Sequence, residues 1–556
     1  KDPAMRKSHL LMGLFLTIVF AFNAFAGVEA IPVKNSQTHM TLMDQRDDAL
    51  TYQIDVSSLN VKSINTDAGE FTQISIPGFH NTMEEGSPEL PMMNRLVNIP
   101  AGSNARVEVI RSNSRVIDLG EFGVTNRIMP HQPSISKSAD LNNIDFVYNQ
   151  ASYTSRTANE LVTIQSLGSL RGLGIGRVEV SPVEYLPTTN QIIVHDNIEF
   201  RVVFDGASRS SQYDMLSRTW SPFFTPVYNS IDGARSFNDD YPDLVQNEVS
   251  MVVIVPPEFE YQMQDFVDWK TERGFNMIVG VIGTPEVGAT TTTIQSYIHN
   301  LYNTGAPAPS FVLFVGDVAQ CPTFSTSNGV SDREYCDIEN DLFPEMYYGR
   351  FSATNAGELQ SILDKTMMYD QFTMPDPSYL GNAVMIAGMD AGYGGSHGNG
   401  QINYGTEHYF NAAHGINSNT YLYPDSGSNS ANIVQNVSDG VAYINYTAHG
   451  SSTSWSDPSF TQSNINGLSN SGKYTLAVGN CCLTSTYENP ECFAETWLRA
   501  ADKGAIGYIG GSNSTYWDED YWWGVGFHPS AEINGTAYPI ADTGIGVYDG
   551  LFHDSG

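Results

Sequence analysis

From about residue 30 to residue 235, apolar and polar positions alternate in short runs broken by Gly, Pro and Asn. FTQISIPG (71–78), ARVEVIRS (105–112), GRVEVSPVEYLP (176–187) and QIIVHDNIEFRVVFDG (191–206) carry a period of two. Successive side chains of a strand face opposite sides, so this pattern predicts half-buried strands in an antiparallel, all-β region. His80, His131 and His195 are scattered through it without forming a catalytic cluster. After SPFFTPVYNS the chain turns polar and charged, IDGARSFNDDYPDLVQNE, around a lone Arg235. That shift is the clearest domain boundary in the chain.

Beyond it the period changes. Seven apolar runs have the length of buried strands: 250–256, 276–282, 310–317, 382–390, 441–448, 474–480 and 504–511. Helical spacing lies between them, as in YQMQDFVDWKTER, TTTIQSYIHNLYN, AGELQSILDKTMMYD and ECFAETWLRAADK. Strands buried on both faces and alternating with helices predict an α/β fold, a mostly parallel sheet with helices on both faces.

Two of these runs end in residues able to do chemistry. VAYINYTA runs into His449-Gly450, and YTLAVGN runs into Cys481-Cys482, 33 residues on from the His to the second Cys. Reactive groups gather at the carboxyl edge of a parallel sheet, and one crossover would place these strands side by side. A His and a Cys so placed form a nucleophile–base pair: the imidazole takes the thiol proton and the thiolate attacks a carbonyl. Gly450 allows close approach of a substrate carbonyl, and the N–H groups of Gly450 and Cys482 flank the place where an oxyanion would form. The plain alternative is a core His beside a buried free Cys. Adjacent residues at a strand end point to opposite faces, so only one of Cys481 and Cys482 can meet His449, and local physics does not choose between them. The five Cys (321, 336, 481, 482, 492) are an odd number and no disulfide framework, although a bridge using Cys481 and Cys492 is an alternative for those two.

Asp390 closes a further strand run and suits a turn or helix cap equally well. YWDEDYWW (516–523) crowds aromatics and carboxylates together. It is either an acidic turn beside core aromatics or a pocket for a basic side chain, which needs apolar walls and one carboxylate at the bottom. A compact ammonium is held by one carboxylate plus hydroxyl or carbonyl acceptors, whereas guanidinium favours a planar partner, so the stretch leans towards Lys over Arg. In ENDLFPE, Glu339, Asp341 and Glu345 offer oxygen ligands at short spacing, as a Ca²⁺ site would, but fall short of an EF-hand. A plain acidic loop is the alternative there. No HExxH, paired CxxC, Walker A or dinucleotide fingerprint occurs.

The 556 residues suffice for about three domains. Asp and Glu number 61 against 27 Lys and Arg, a formal charge of −34. Such a surface repels nucleic acid and anionic membranes and attracts basic peptides. Residues 1–4 look like an extension. Met5 to Ala26 has the form of a secretory leader: Arg6-Lys7, LLMGLFLTIVFAF, then Ala24-Phe25-Ala26. No later stretch approaches the roughly 18 apolar residues of a membrane span. The expectation is an exported protein without one.

NYTAHGSSTSW and AVGNCCLTSTYENPECF, taken in order with PGFHNTMEEGSPELP, MPHQPSISKS and YWDEDYWW, resemble the gingipain family of cysteine peptidases, and most of all its lysine-specific branch. The likeness covers nearly the whole chain after the leader. It implies a caspase-like fold of two α/β subdomains, 236–375 and 376–556, preceded by a β prodomain, 27–235, cut after Arg235. It aligns Cys482 with the nucleophile, His449 with the general base and acid, and Asp390 with the carboxylate that orients the His. Asp520 matches the lysine-selecting acid, Thr447 lies in the same pocket, and Trp517 and Tyr516 are candidates for its walls. Glu339, Asp341, the Phe343 carbonyl and Glu345 match a structural calcium site, with Glu339 replacing the usual Asp. The family's catalytic domain runs on past HDSG and is followed by further domains, so a truncated chain is expected. In MPHQPSISKSADLNN, two prolines disfavour helix, and Lys137 is either the basic residue that fills the pocket of the latent enzyme or a solvated lysine of an ordinary surface loop. The expectation is a secreted cysteine endopeptidase zymogen that cleaves after Lys, or alternatively Arg. Its partners would be protein and peptide substrates with basic residues and its own prodomain, with no organic cofactor and no nucleic acid. The remaining alternative is a catalytically silent secreted binding or adhesion protein on the same scaffold.

Overall fold

The alternating stretch folds as antiparallel sheet. The computed structural model describes residues 29–76, 78–234, 248–526, 533–538 and 545–552; the leader and Arg235 lie outside the described residues. In the N-terminal part, the strands Gln191–Asp205, Ala49–Asp55 and His39–Arg46 pair antiparallel, and the long strand Asn104–Asp118 also lies along Gln191–Asp205. The inward positions of Gln191–Asp205 (Ile192, Val194, Ile198, Phe200, Val202, Phe204) are buried, as alternation requires. Its register slips between His195 and Asn197, where the apolar alternation is broken by Asp196. His195 bonds to Glu184 and Ser112, and His131 bonds to Glu89. These imidazoles are engaged in local structure.

The C-terminal part holds two all-parallel sheets. The first has the order Phe275–Val281, Val249–Val255, Phe311–Val315, Tyr347–Phe351. The second has the order Asn417–Tyr421, Asn382–Ala387, Tyr443–Thr447, Thr475–Asn480, Ala505–Gly510. The central runs are buried throughout: Tyr443–Thr447 has no partly exposed residue. This follows from helices on both faces: Ser430–Asp439 and Phe493–Arg499 pack on one, Asn399–His408 and Trp517–Val525 on the other. On the first sheet lies Ala356–Asp370, which Asn355 starts by accepting from the N–H groups of Gly357 and Glu358. The two sheets meet through buried charge: Arg499 reaches Asp317 at 2.9 Å and Glu495 at 2.6 Å. Among the described residues no helix is long and apolar enough to cross a membrane.

Among the described residues, the two parts meet at two main places. At the first, Ile135–Ser138 lies antiparallel to residues 514–517: the Lys137 N–H donates to the Thr515 carbonyl and the Trp517 N–H to the Ile135 carbonyl. At the second, a two-residue hairpin turn, Arg171-Gly172, links the strands Val162–Leu170 and Leu173–Val180. Both turn residues have positive φ (51° and 81°), the form that suits the twist of the flanking strands. A Cβ at Gly172 would meet the Met215 side chain at 2.2 Å. Arg171 is wholly buried, and its guanidinium donates to the carbonyls of Thr219, Ala308, Pro309 and Glu345. Phe224 lies against it at 4.9 Å and Tyr302 at 5.5 Å.

Hydrogen bonds to charged donors contribute about 1.5–3 kcal/mol, and a buried carbonyl left without a partner costs about 1–3 kcal/mol. Arg171→Ala is therefore expected to weaken the second junction by about 3 kcal/mol. Amide exchange in residues 162–180 and 218–231 of the whole chain should speed up; unchanged protection there would show the guanidinium to be dispensable.

Candidate active site

The second parallel sheet determines which residues meet. Its strand order brings three adjacent carboxyl ends together, so that Asp390, His449 and Cys482 follow Asn382–Ala387, Tyr443–Thr447 and Thr475–Asn480 in the same order. The next strand, Ala505–Gly510, leads into Thr515 and the helix Trp517–Val525. Four segments far apart in sequence thus converge on one edge.

Asp390 Oδ2 lies 2.7 Å from His449 Nε2, while Oδ1 accepts from the N–H groups of Gly392 and Tyr393. Burial works against the charge of this carboxyl, but the His449 hydrogen bond and the two backbone donors outweigh it and hold it below the usual carboxylate range. With Nε2–H directed at Asp390, Nδ1 is the nitrogen left for a thiol proton. The imidazole edge also stands on Trp517, with centroids 5.7 Å apart at 89°.

The two cysteines have opposite surroundings. Cys481 sits in the core among Tyr446, Trp455 and Phe493, with its nearest polar contact at Thr484. Burial pushes its thiol far up. Cys482 Sγ turns the other way and accepts from the Thr515 N–H at 3.3 Å. Among the described residues no hydrogen bond joins it to His449, so the pair expected from sequence faces one site without direct contact; such bonds often tighten only with substrate bound. A Cβ at Gly450 would lie 2.6 Å from Cys481 Sγ and 2.7 Å from the Cys482 carbonyl, which is why only glycine fits against the thiol loop. All five cysteines are free and buried, so the Cys481–Cys492 bridge is not formed.

Beside this cluster is a pocket already filled. Lys137 enters it with its side chain fully buried. Its Nζ is 2.6 Å from Asp520 Oδ2, 2.8 Å from the Asn480 carbonyl and 3.3 Å from Thr447 Oγ1, and 4.7 Å above the Trp517 ring. Tyr516 stands exposed at the rim, its backbone bridged to Ser136. Asp520 is held by its own carbonyl, which accepts from Gln401 Nε2 and Asn480 Nδ2. Sequence reasoning missed the Asn480 carbonyl and Thr515: one acts through a main-chain atom and the other is an ordinary threonine in a loop, so neither leaves a side-chain signature.

The acidic loop lies elsewhere, at the second junction. Asp341 accepts from the N–H groups of Ser169 and Phe343, and Glu345 Oε2 accepts from the Ile338 N–H. Glu345 Oε1 is buried without a partner, and burial, followed by the neighbouring carboxylates of Asp341, Asp337 and Glu339, raises this carboxyl to about 8. Phe343 packs on the N-terminal part next to Trp220 and Val227. Among the described residues no three His, Cys, Asp or Glu side chains converge tightly enough to form a ready-made metal cage. The donor chemistry and the orphaned oxygen of Glu345 nevertheless suit a hard cation.

The family model described as Peptidase family C25 matches residues 245–554, and that described as Propeptide_C25 matches residues 34–217. Lys-gingipain of Porphyromonas gingivalis is 37% identical over 504 residues, 89% of this chain and 29% of that protein. Gingipain R2 of the same organism is 25% identical over 477 residues, 85% of this chain and 63% of that protein. A solved structure described as a protease is 37% identical, covers 57% of this chain and 70% of its own, and superposes with a TM-score of 0.52. The chain therefore spans less than a third of the length of Lys-gingipain.

The opposite settings of the two thiols make a direct prediction. Once the pocket is emptied, iodoacetamide should alkylate Cys482 and leave Cys481 unmodified, and Cys482→Ala should abolish peptide cleavage while Cys481→Ala retains most of it. Peptide mapping that found the label on Cys481 would reverse the assignment.

Proposed function

The chain belongs to peptidase family C25, and from that footing we propose that it is the precursor of a secreted cysteine endopeptidase that cleaves after lysine and is kept latent by its own N-terminal part. The lodging of Lys137 against Asp520, Thr447 and the Asn480 carbonyl carries this reading. A peptide lysine would sit in the same place, its stem along Trp517 and its ammonium on Asp520. Three acceptors around one nitrogen suit an ammonium better than a planar guanidinium, which favours lysine over arginine. The intact Asp390–His449 pair next to a thiol argues against a silent scaffold.

The chemistry follows from the same residues. His449 Nδ1 takes the Cys482 proton, and Asp390 holds the ring and stabilises the imidazolium. The thiolate attacks the lysyl carbonyl, and the N–H groups of Gly450 and Cys482 receive the developing oxyanion. His449 then returns the proton to the leaving amine. A water deprotonated by the same imidazole hydrolyses the thioester and restores the thiol.

Lys137 is a plug rather than a substrate because the chain bends directly after it. The Ala139 N–H donates to the Ser136 carbonyl at 2.9 Å and the Ser138 N–H to Ser136 Oγ at 3.2 Å. The Lys137–Ser138 bond thus lies inside a turn, not in the extended backbone that a nucleophile needs to approach. Maturation would begin with cleavage in the linker, for which Arg235 is the candidate.

For the acidic loop we propose calcium, held by Glu339, Asp341, the Phe343 carbonyl and Glu345. The ion would displace the proton that burial favours on Glu345 and balance the carboxylate so formed. Its function would be structural, far from the thiol.

Asp520→Asn should leave Cys482 open to alkylation but remove the preference for lysyl over neutral substrates, and Lys137→Ala should let the precursor cleave a lysyl peptide. A retained preference in Asp520→Asn would place the pocket elsewhere. For calcium, chelation is expected to lower the melting temperature, since a ligand bound only by the folded form stabilises it. Asp341→Asn should blunt that response; a melting curve indifferent to chelator would leave the loop as acidic surface.

A further inference from the structure

One buried imidazole near the site is used by none of the steps above. His397 lies in the irregular turn Gly394–Gly398 that leads into the helix Asn399–His408. It is only 8% exposed. Its Nε2 is 2.8 Å from Asp518 Oδ1, and its Nδ1 is 3.0 Å from Ser396 Oγ. Asp518 belongs to the first turn of Trp517–Val525, the helix that also carries Trp517 and Asp520. The ring therefore ties the element after Asp390 to the element that forms the lysine pocket.

The same segment makes further ties along one face. Asp390 orients His449; Tyr393 stacks on Trp517 with centroids 5.2 Å apart at 13°; His397 holds Asp518; Gln401 donates to the Asp520 carbonyl. Trp517 is enclosed as a result. Tyr393 lies parallel to it, His397 approaches at 6.3 Å and 65°, and His449 and the bound lysine ammonium lie against it as well. An indole fixed only by its own backbone would be free to change rotamer when the pocket empties, and re-forming the wall would then weaken binding.

We propose that His397, through its hydrogen bond to Asp518, is a positioning residue for lysine recognition: it fixes the first turn of Trp517–Val525 so that Trp517 and Asp520 stay in place when no lysine is bound. This rests on the lysine-pocket reading above and adds to it a residue that touches neither the substrate nor the thiol. Both ring nitrogens have a partner, Nε2 in Asp518 and Nδ1 in Ser396.

The test uses the processed enzyme with two peptides, one with lysine and one with isosteric norleucine before the scissile bond. His397→Ala should raise KM for the lysyl peptide about tenfold while kcat stays within about twofold, the signature of lost binding without lost chemistry. The kcat/KM for the norleucine peptide, which shares the stem contact with Trp517 but has no ammonium for Asp520, should fall clearly less than that for the lysyl peptide. The rate of Cys482 alkylation by iodoacetamide should hardly change. His397→Gln, whose amide nitrogen can reach Asp518, should recover most of the loss. Asp518→Ala should add little to His397→Ala, because both remove the same bond. The proposal is overturned by an unchanged KM, by equal losses on both peptides, or by a Gln variant no better than Ala. Should Asp520→Asn keep the lysine preference, the pocket reading itself fails, whatever His397 does.

Discussion

A carboxylate at the bottom of a pocket walled by indole needs a cation. Asp520 has one in Lys137, and the position of the N-terminal part follows from that pairing. Removing one partner of a buried ion pair costs about 3–5 kcal/mol, because the other charge is left uncompensated. The pocket is therefore either occupied or open to water, and in the precursor it is occupied. The strand pairing of Ile135–Ser138 with residues 514–517 fixes the depth at which Lys137 enters. The turn after it fixes where the chain leaves.

The sheet explains why so few residues suffice. Parallel strands in the order 382–387, 443–447, 475–480 and 505–510 deliver a carboxylate, an imidazole, a thiol and a pocket to one edge. Thr447 and Asn480, the last residues of two of these strands, line the pocket from below. On the proposed reading, recognition and chemistry share a wall, because Trp517 touches both the lysine ammonium and His449.

Much of this was legible in the sequence, for a reason that also explains the gaps. The seven apolar runs are strands with neighbours or helices covering them, so burial wrote itself into their composition. Tyr347–Phe351 and Asn417–Tyr421 escaped notice because YYGRF and NSNTY keep exposed positions and never form an apolar run, whereas the strands at the opposite edges, FNMIVGV and AIGYIG, do. Asn399–His408 carries two glycines and few apolar residues, which hides its helical period. His449, the pair Cys481-Cys482 and Asp390 stand at strand ends and could be picked out by position. Position did not choose between the two cysteines; the resemblance named Cys482, and the proposed reading keeps it because Cys481 is in the core while Cys482 turns towards Thr515. Arg171 and His397 were invisible for a similar reason: their partners lie 48 to 174 and 121 residues away in the chain. A polar residue buried by distant contacts looks like any surface residue until the fold is known.

The hairpin tip at Arg171 gives the N-terminal part a second grip, remote from the thiol. Two grips on one rigid body act as a bivalent ligand: when one lets go, the other holds it nearby at high effective concentration, and rebinding outpaces escape. A cut in the linker alone would then leave the lysine plug in place, since neither grip depends on chain continuity. Onset of activity would lag behind the cut and would depend on whatever breaks the second grip, including proteolysis of the released part itself. Such a precursor would behave less like a switch thrown by one cleavage than like a timer.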